Sequence, residues 1–263
     1  MKTYQPLWMT AAVCLAVAAA ACGGSEPAPT VSEQTIDGEC RPVFGSDVCT
    51  FGVSVDGTVT EFGATVGLGS IENAPSEGEM VFPPHFEAVV PLPAEVTQAT
   101  GYNHLGVNWE LHGHPPALFL TPHFDFHFYS IAPADVQAID CSNLEKPATL
   151  PAGYTLPDID VPGLGMLTGL CVPTMGMHAM ATAELDKTEP FEGSMIAGYY
   201  AGRNIFIEPM ISRAKLEQAQ SFDLSVPAAP AGLEPGVTWP SGFRAVYDEA
   251  TRSYRFIFTV PQS

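Results

Sequence analysis

The chain has 263 residues, with 29 Asp and Glu against 10 Lys and Arg, and a formal charge of −19. A chain this acidic offers no basic patch for phosphates, which excludes nucleic acid as a partner and fits solubility and mutual repulsion outside the cell. Its length and its 46% of hydrophobic residues suit one domain of ordinary size.

The first element is a targeting segment. Lys2 supplies a positive start, and Leu7–Ala21 is an apolar run shorter than the ~20 residues of a bilayer span, so residues 1–21 read as a signal peptide. "AAAC" (Ala19–Cys22) followed by "GGSEPAP" resembles a bacterial lipoprotein signal, which implies lipidation at Cys22 and a membrane partner through that anchor. Ala19 stands where Leu is usual, so an ordinary cleaved signal is the alternative. Gly23 gives no inner-membrane retention signal, so the expected location is the cell envelope, lipid-anchored at the outer membrane or surface, or periplasmic. Residues 22–36 then form a tether, and 37–263 a single domain.

Within the domain, Cys49–Gly69 alternates around Asp56-Gly57, a two-residue hairpin signal. His85–Pro93 predicts a strand stopped by prolines. Ala117–Ile131 is the longest strand candidate, with Pro122 marking an edge or a bulge. Ala132–Asp140 suits a short helix starting near Pro133. Residues 141–170 form a Pro/Gly-rich crossing segment. "SMIAGYYAGRNIFIEP" reads as strand, Ala-Gly-Arg-Asn turn, strand. Ile211–Gln220 is a short amphipathic helix, Val226–Pro240 a Pro-rich loop, and the chain closes on a hairpin with Phe243, Ala245 and Tyr247 alternating against Tyr254, Phe256 and Phe258. The sum is a mainly β fold, a single antiparallel β-sandwich or barrel domain with one or two short helices.

Apart from Cys14 and Cys22, four cysteines remain in two local pairs, Cys40 with Cys49 and Cys141 with Cys171, which in an oxidising compartment predict disulfides. The second closes a loop of about 30 residues and contributes roughly 3 to 4 kcal/mol on the chain-entropy argument. Neither pair has the close spacing of a zinc site.

All seven histidines lie between His85 and His178. In "PHFDFHFYS" the strand period puts Phe124, Phe126 and Phe128 on one face, the core face, and His123, Asp125, His127 and Tyr129 on the other. Two patterns have metal-ligand spacing. In His112-Gly113-His114 an extended backbone would set two imidazoles side by side, about 6.6 Å apart, close enough to converge on one ion. In His123-x-Asp125-x-His127 the outer histidines stand about 13 Å apart on a regular strand, so at most two of the three are expected on one ion. Asp125 would then bind or orient a neighbour. His178, among Met175, Met177 and Met180 and just past Cys171, is a further ligand candidate from a distant segment, in a setting that suits copper as well as zinc, iron or manganese. Glu208, acidic in an apolar strand, is a ligand or general-base candidate, as is Asp125. Against these stand blander readings: a buried hydrogen-bond network, methionines as core filler, and Glu208 as a satisfied charge. No nucleophile elbow and no free thiol are present for a Ser or Cys mechanism.

The segments "NHLGVNWELHGHPP", "PHFDFHFY", "CVPTMGMH" and "GYYAGRNIFIEPMIS" together resemble an uncharacterised family of bacterial envelope proteins, whose representative is a Thermus protein under a sigma-E/anti-sigma-E pair. The resemblance runs from about Val81 to the closing hairpin. It implies a secreted β-rich protein and brings no reaction with it. The family pattern supports His178 after "MG" but not Met177 or Met180, which shifts the balance from copper toward a general His/Asp site. The layout of His-x-His followed by later acidic and His positions is also similar to cupin metal sites, in layout alone.

The reading that follows is an envelope lipoprotein binding a divalent transition metal through candidates His112, His114, His123, Asp125, His127 and His178. As an enzyme it would use the ion to polarise a small-molecule substrate or activate water, with Asp125 or Glu208 handling protons. The alternative is a non-catalytic structural or stress-response envelope protein whose His/Asp/Tyr face is a buried network or a homo-oligomer interface.

Overall fold

The computed structural model describes residues 31–262 apart from Met80, Asp186, Thr188 and Glu189. The expected signal peptide, Cys22 and most of the tether lie outside the described residues. In chain order the strands are β1 (Glu33–Val43), β2 (Ser46–Val55), β3 (Thr58–Gly67), β4 (Ala88–Pro91), β5 (His104–Glu110), β6 (His123–Tyr129), β7 (Tyr154–Thr155), β8 (Ile159–Val161), β9 (Gly165–Leu167), β10 (Met177–Ala181), β11 (Gly193–Tyr200), β12 (Arg203–Ser212), β13 (Phe222–Leu224), β14 (Gly242–Asp248) and β15 (Ser253–Thr259). The helices are short: α1 (Leu68–Glu72), α2 (Ala94–Thr100), α3 (Pro133–Gln137), α4 (Thr182–Leu185) and α5 (Arg213–Leu216).

Two antiparallel sheets carry the fold. One has six strands in the order β1-β2-β3-β15-β14-β13, the other seven in the order β4-β5-β6-β12-β11-β10-β7. Neither closes on itself, so of the two expected architectures the sandwich is the one formed. Local chemistry explains the hairpins. Asp56 and Gly57 take φ of 50° and 81° between β2 and β3, and Ala201-Gly202 takes 50° and 76° between β11 and β12, the left-handed pairs that match the strand twist.

The core lies between the sheets and is largely aromatic. Phe128 stands edge-on to Phe62 at 5.9 Å and to Phe258 at 5.2 Å, and Phe126 meets Phe256 at 4.8 Å. These contacts realise the alternation of β6 and of the closing hairpin, each buried ring contributing about 2 to 3 kcal/mol.

Several boundaries differ from the sequence expectation. β1 starts at Glu33, inside the expected tether, because it pairs with β2 along its length. The strand expected from Ala117 shrinks to β6. Residues 117–119 form a 3₁₀ turn instead, and Pro122 precedes the strand directly, so it marks neither an edge nor a bulge in what is a central strand. The helix expected over Ile211–Gln220 is only α5, since Ile211 and Ser212 still pair with β6.

Both disulfides form as paired from the sequence: Cys40–Cys49 across the β1–β2 register and Cys141–Cys171 across the crossing segment. The second staples part of the layer that covers the outer face of the seven-stranded sheet. A second apolar cluster, including Phe119, Val136, Leu170 and Phe206, packs there. That covering layer sets the environment of the site.

Candidate metal centre

Strand register assembles the site on the outer face of the seven-stranded sheet. β5 sets Glu110 opposite His123, Asn108 opposite Asp125 and Gly106 opposite His127. On the other side of β6, β12 pairs Met210 with Asp125 and Phe206 with Tyr129, which places Glu208 beside His127. Two strands further on, His178 of β10 lies opposite Gly198 of β11, which itself lies opposite Phe206. His114 arrives from the loop after β5. His123 and His127 are fully buried, and Asp125 and Glu208 are 3% and 1% exposed, all within this one chain. The face is therefore covered by the chain's own loops.

The side chains form two groups of like composition: His114, His123 and Asp125, and His127, His178 and Glu208, each with ligand atoms within 4.8 Å of one another. Asp125 lies 3.3 Å from His123 Nε2 and 3.9 Å from His114 Nε2. Glu208 lies 3.5 Å from His127 Nε2 and 4.0 Å from His178 Nε2. His123 and His127 fall in different groups, as their strand spacing required.

Three of the four rings are fixed from behind. The Nδ1 atoms of His114, His123 and His178 lie 2.9, 2.7 and 3.0 Å from the carbonyl oxygens of Pro115, Thr121 and Leu170. A carbonyl can only accept, so each Nδ1 donates a proton, and the neutral His114 and His178 rings keep an Nε2 lone pair toward the carboxylates. This is the tautomer and orientation of a metal-ligating histidine. Several buried atoms of the site are poorly satisfied: His123 Nε2, Asp125 Oδ1, Glu208 Oε2 and both ring nitrogens of His127 have no hydrogen-bond partner among the described residues. Buried polar atoms without partners cost about 1 to 3 kcal/mol each, a cost that a bound ion would offset.

The electrostatics have the same origin. Burial, then the neighbouring His123, lowers His114 to about 4, and burial lowers His127 to about 3 and His178 below its ordinary value, so these rings stay neutral. For His123 burial is outweighed by Asp125, and the ring is raised. Asp125 itself is buried, yet His123 and His114 hold it down to about 2. Burial and then Asp125 push Glu110 up to about 8 and Glu208 well above the usual carboxylate range. Among the described residues, the ion-pair partners of Asp125 and Glu208 are all histidines.

The site opens to a cavity of about 70 Å³. Glu110, His114, Asp125 and His178 lie at its polar end, and its walls include Val81, Phe82, Leu164, Leu167 and Met175. Phe82 and Leu164 are partly exposed at the mouth, at 38% and 47%. Leu164 sits in the turn of the small β8–β9 hairpin, which forms its own two-stranded sheet beside the cavity.

The sequence candidates divide accordingly. His114, His123, Asp125, His127, His178 and Glu208 come together; His112 does not. His112 is exposed, with Nε2 2.9 Å from the Gly78 carbonyl. The extended His-x-His geometry fails because the segment turns at Gly113, whose φ is +64°. A Cβ there would stand 2.0 Å from the Phe119 carbonyl oxygen, so only glycine lets the chain fold back and deliver His114 alone. The methionine setting of His178 does not supply thioether ligands either: Met177 faces the inter-sheet core, Met180 the outer apolar cluster, and Met175 a cavity wall. Glu110 was missed, although alternation from His104 through Asn108 already placed it on the same face.

Comparison with known proteins bears on part of the chain. Residues 54–109 match the family model TTHB210-like, described as "Hypothetical protein TTHB210". This is the uncharacterised family, with a Thermus representative, that the sequence motifs resembled. The TTHB210-like segment runs from the end of β2 to β5 and stops one residue before Glu110, so it contains none of the six clustered ligand candidates. No curated protein and no solved structure matches the chain.

Proposed function

We propose that the protein is an envelope lipoprotein, anchored through Cys22, whose domain binds a divalent transition metal at the His/Asp/Glu cluster and presents it to a small molecule. One observation carries the reading: buried atoms of His123, Asp125, His127 and Glu208 converge without hydrogen-bond partners among the described residues, beside His114, His123 and His178 rings oriented from behind by backbone carbonyls. The group His114, His123 and Asp125 is the primary site, since two of its members also line the cavity. Two imidazoles and one carboxylate leave coordination positions open, and imidazole with carboxylate suits zinc, iron or manganese better than a copper site built on thioethers.

An open position next to an apolar-walled cavity favours catalysis over storage. A bound ion there supplies a Lewis acid that polarises a substrate oxygen or acidifies a water. The protein's part is to hold the ligands, to exclude bulk water with the layer stapled by Cys141–Cys171, and to take up a proton. Glu110, outside both groups and at the polar end of the cavity, is placed for that last role better than Asp125 or Glu208, which face histidines. The small cavity and its apolar walls select a compact, largely apolar molecule with an oxygen donor at one end.

The test is calorimetric titration of zinc and manganese into the chelator-stripped full chain and into its His123→Ala variant. Tight binding in the first and loss of it in the second is expected. Equal affinities would refute the site. Palmitate labelling of the wild-type chain but not of a Cys22→Ala variant tests the anchor.

A further inference from the structure

We propose that the centre holds two ions, one per group, sharing the cavity as a dinuclear site. This rests on the metal reading above and extends it to the second group. Each group repeats the same donor set, two histidines and one carboxylate, each with its own cluster of ligand atoms. One ion cannot gather both sets. His123 and His127 are four residues apart on a single strand, about 13 Å between Cα atoms, and their Nε2 atoms approach different carboxylates. A tetrahedral ion takes four protein donors at most, whereas the two groups and Glu110 present seven side chains.

The groups are nevertheless neighbours. Asp125 of the first and His127 of the second are successive residues on one face of β6, about 6.6 Å apart along the strand. His114 and Asp125 from the first and His178 from the second line the same cavity. Two-ion sites hold their ions about 3.5 to 4 Å apart around a shared oxygen ligand, and two neighbouring ligand groups that face one cavity suit that arrangement. Charge points the same way. Three carboxylates, Glu110, Asp125 and Glu208, converge in a buried region where both ion-paired ones meet only histidines among the described residues. Two divalent ions with one bridging hydroxide match the charge of all three as ligands.

The experiment uses the full chain, stripped with chelator and reloaded with manganese. Elemental analysis should give two manganese per chain, and electron paramagnetic resonance should show the exchange-coupled spectrum of a close pair. Asp125→Asn and Glu208→Gln, both near-isosteric, should each reduce the content to one and convert the spectrum to that of an isolated ion. One manganese per chain in the wild type, or two without coupling, overturns the dinuclear centre and leaves the single-ion reading standing. No bound manganese, with zinc also failing to bind, removes both. The wild-type stoichiometry and spectrum decide the matter even where a variant fails to fold.

Discussion

Glu110 gives the most quantitative prediction. Its carboxyl is pushed up to about 8 by burial and by Asp125, against an ordinary value of 4.5. The native metal-free protein therefore carries a proton at pH 7 that the unfolded chain has released. A carboxyl raised in this way favours the folded state fully only below the unfolded value, and that stability is lost as pH rises from 4.5 toward 8. At about 1.4 kcal/mol per pH unit the loss reaches about 3 kcal/mol at pH 7, and water entering the cavity reduces it to about 2 kcal/mol. Glu110→Gln removes the titration. In urea denaturation of the chelator-treated chain, the variant should match the wild type near pH 4.5 and exceed it by about 2 to 3 kcal/mol at pH 7, levelling off above pH 8. In a domain of this size that is a rise in Tm of about 5 to 10 °C. With zinc or manganese bound the advantage should vanish, because the ion keeps the carboxylate charged. A pH-independent difference, or a variant less stable than the wild type at pH 8 without metal, would show that Glu110 is not held protonated by burial.

Further outcomes follow from the geometry. His112→Ala should leave metal affinity unchanged while His114→Ala lowers it at least tenfold, compared by calorimetric titration. Gly113→Ala should keep the fold, by circular dichroism, yet weaken metal binding as His114 does, because the added Cβ collides with the Phe119 carbonyl. Removing Cys141 and Cys171 together should cost roughly 3 to 4 kcal/mol in urea denaturation and speed chelator stripping, since their bridge ties down part of the covering layer. Phe128→Ala, in contact with Phe62 and Phe258, should cost about 3 to 5 kcal/mol while leaving the metal content of the folded fraction intact.

What the sequence made legible was set by local rules. The Phe/His alternation of β6 identified both the core face and the site face, and the hairpin at Asp56-Gly57 formed where its backbone demands. The cysteine pairs closed as their spacing suggested. What it hid was non-local. Glu208 meets His127 only because β12 pairs with β6 in one register across some eighty intervening residues, which no local period reports. His112 and His114 looked equivalent because a glycine between them is silent about which way it turns. The strand spacing already kept His123 and His127 from sharing one ion, and the register added which carboxylate each one faces.

Anomalous diffraction from crystals of the metal-loaded protein would locate the ion itself. A peak is expected about 2.0 to 2.2 Å from the Nε2 atoms of His114 and His123 and from an Asp125 oxygen. Peaks found only on exposed carboxylates, with His123 and Asp125 still facing one another undisturbed, would contradict it.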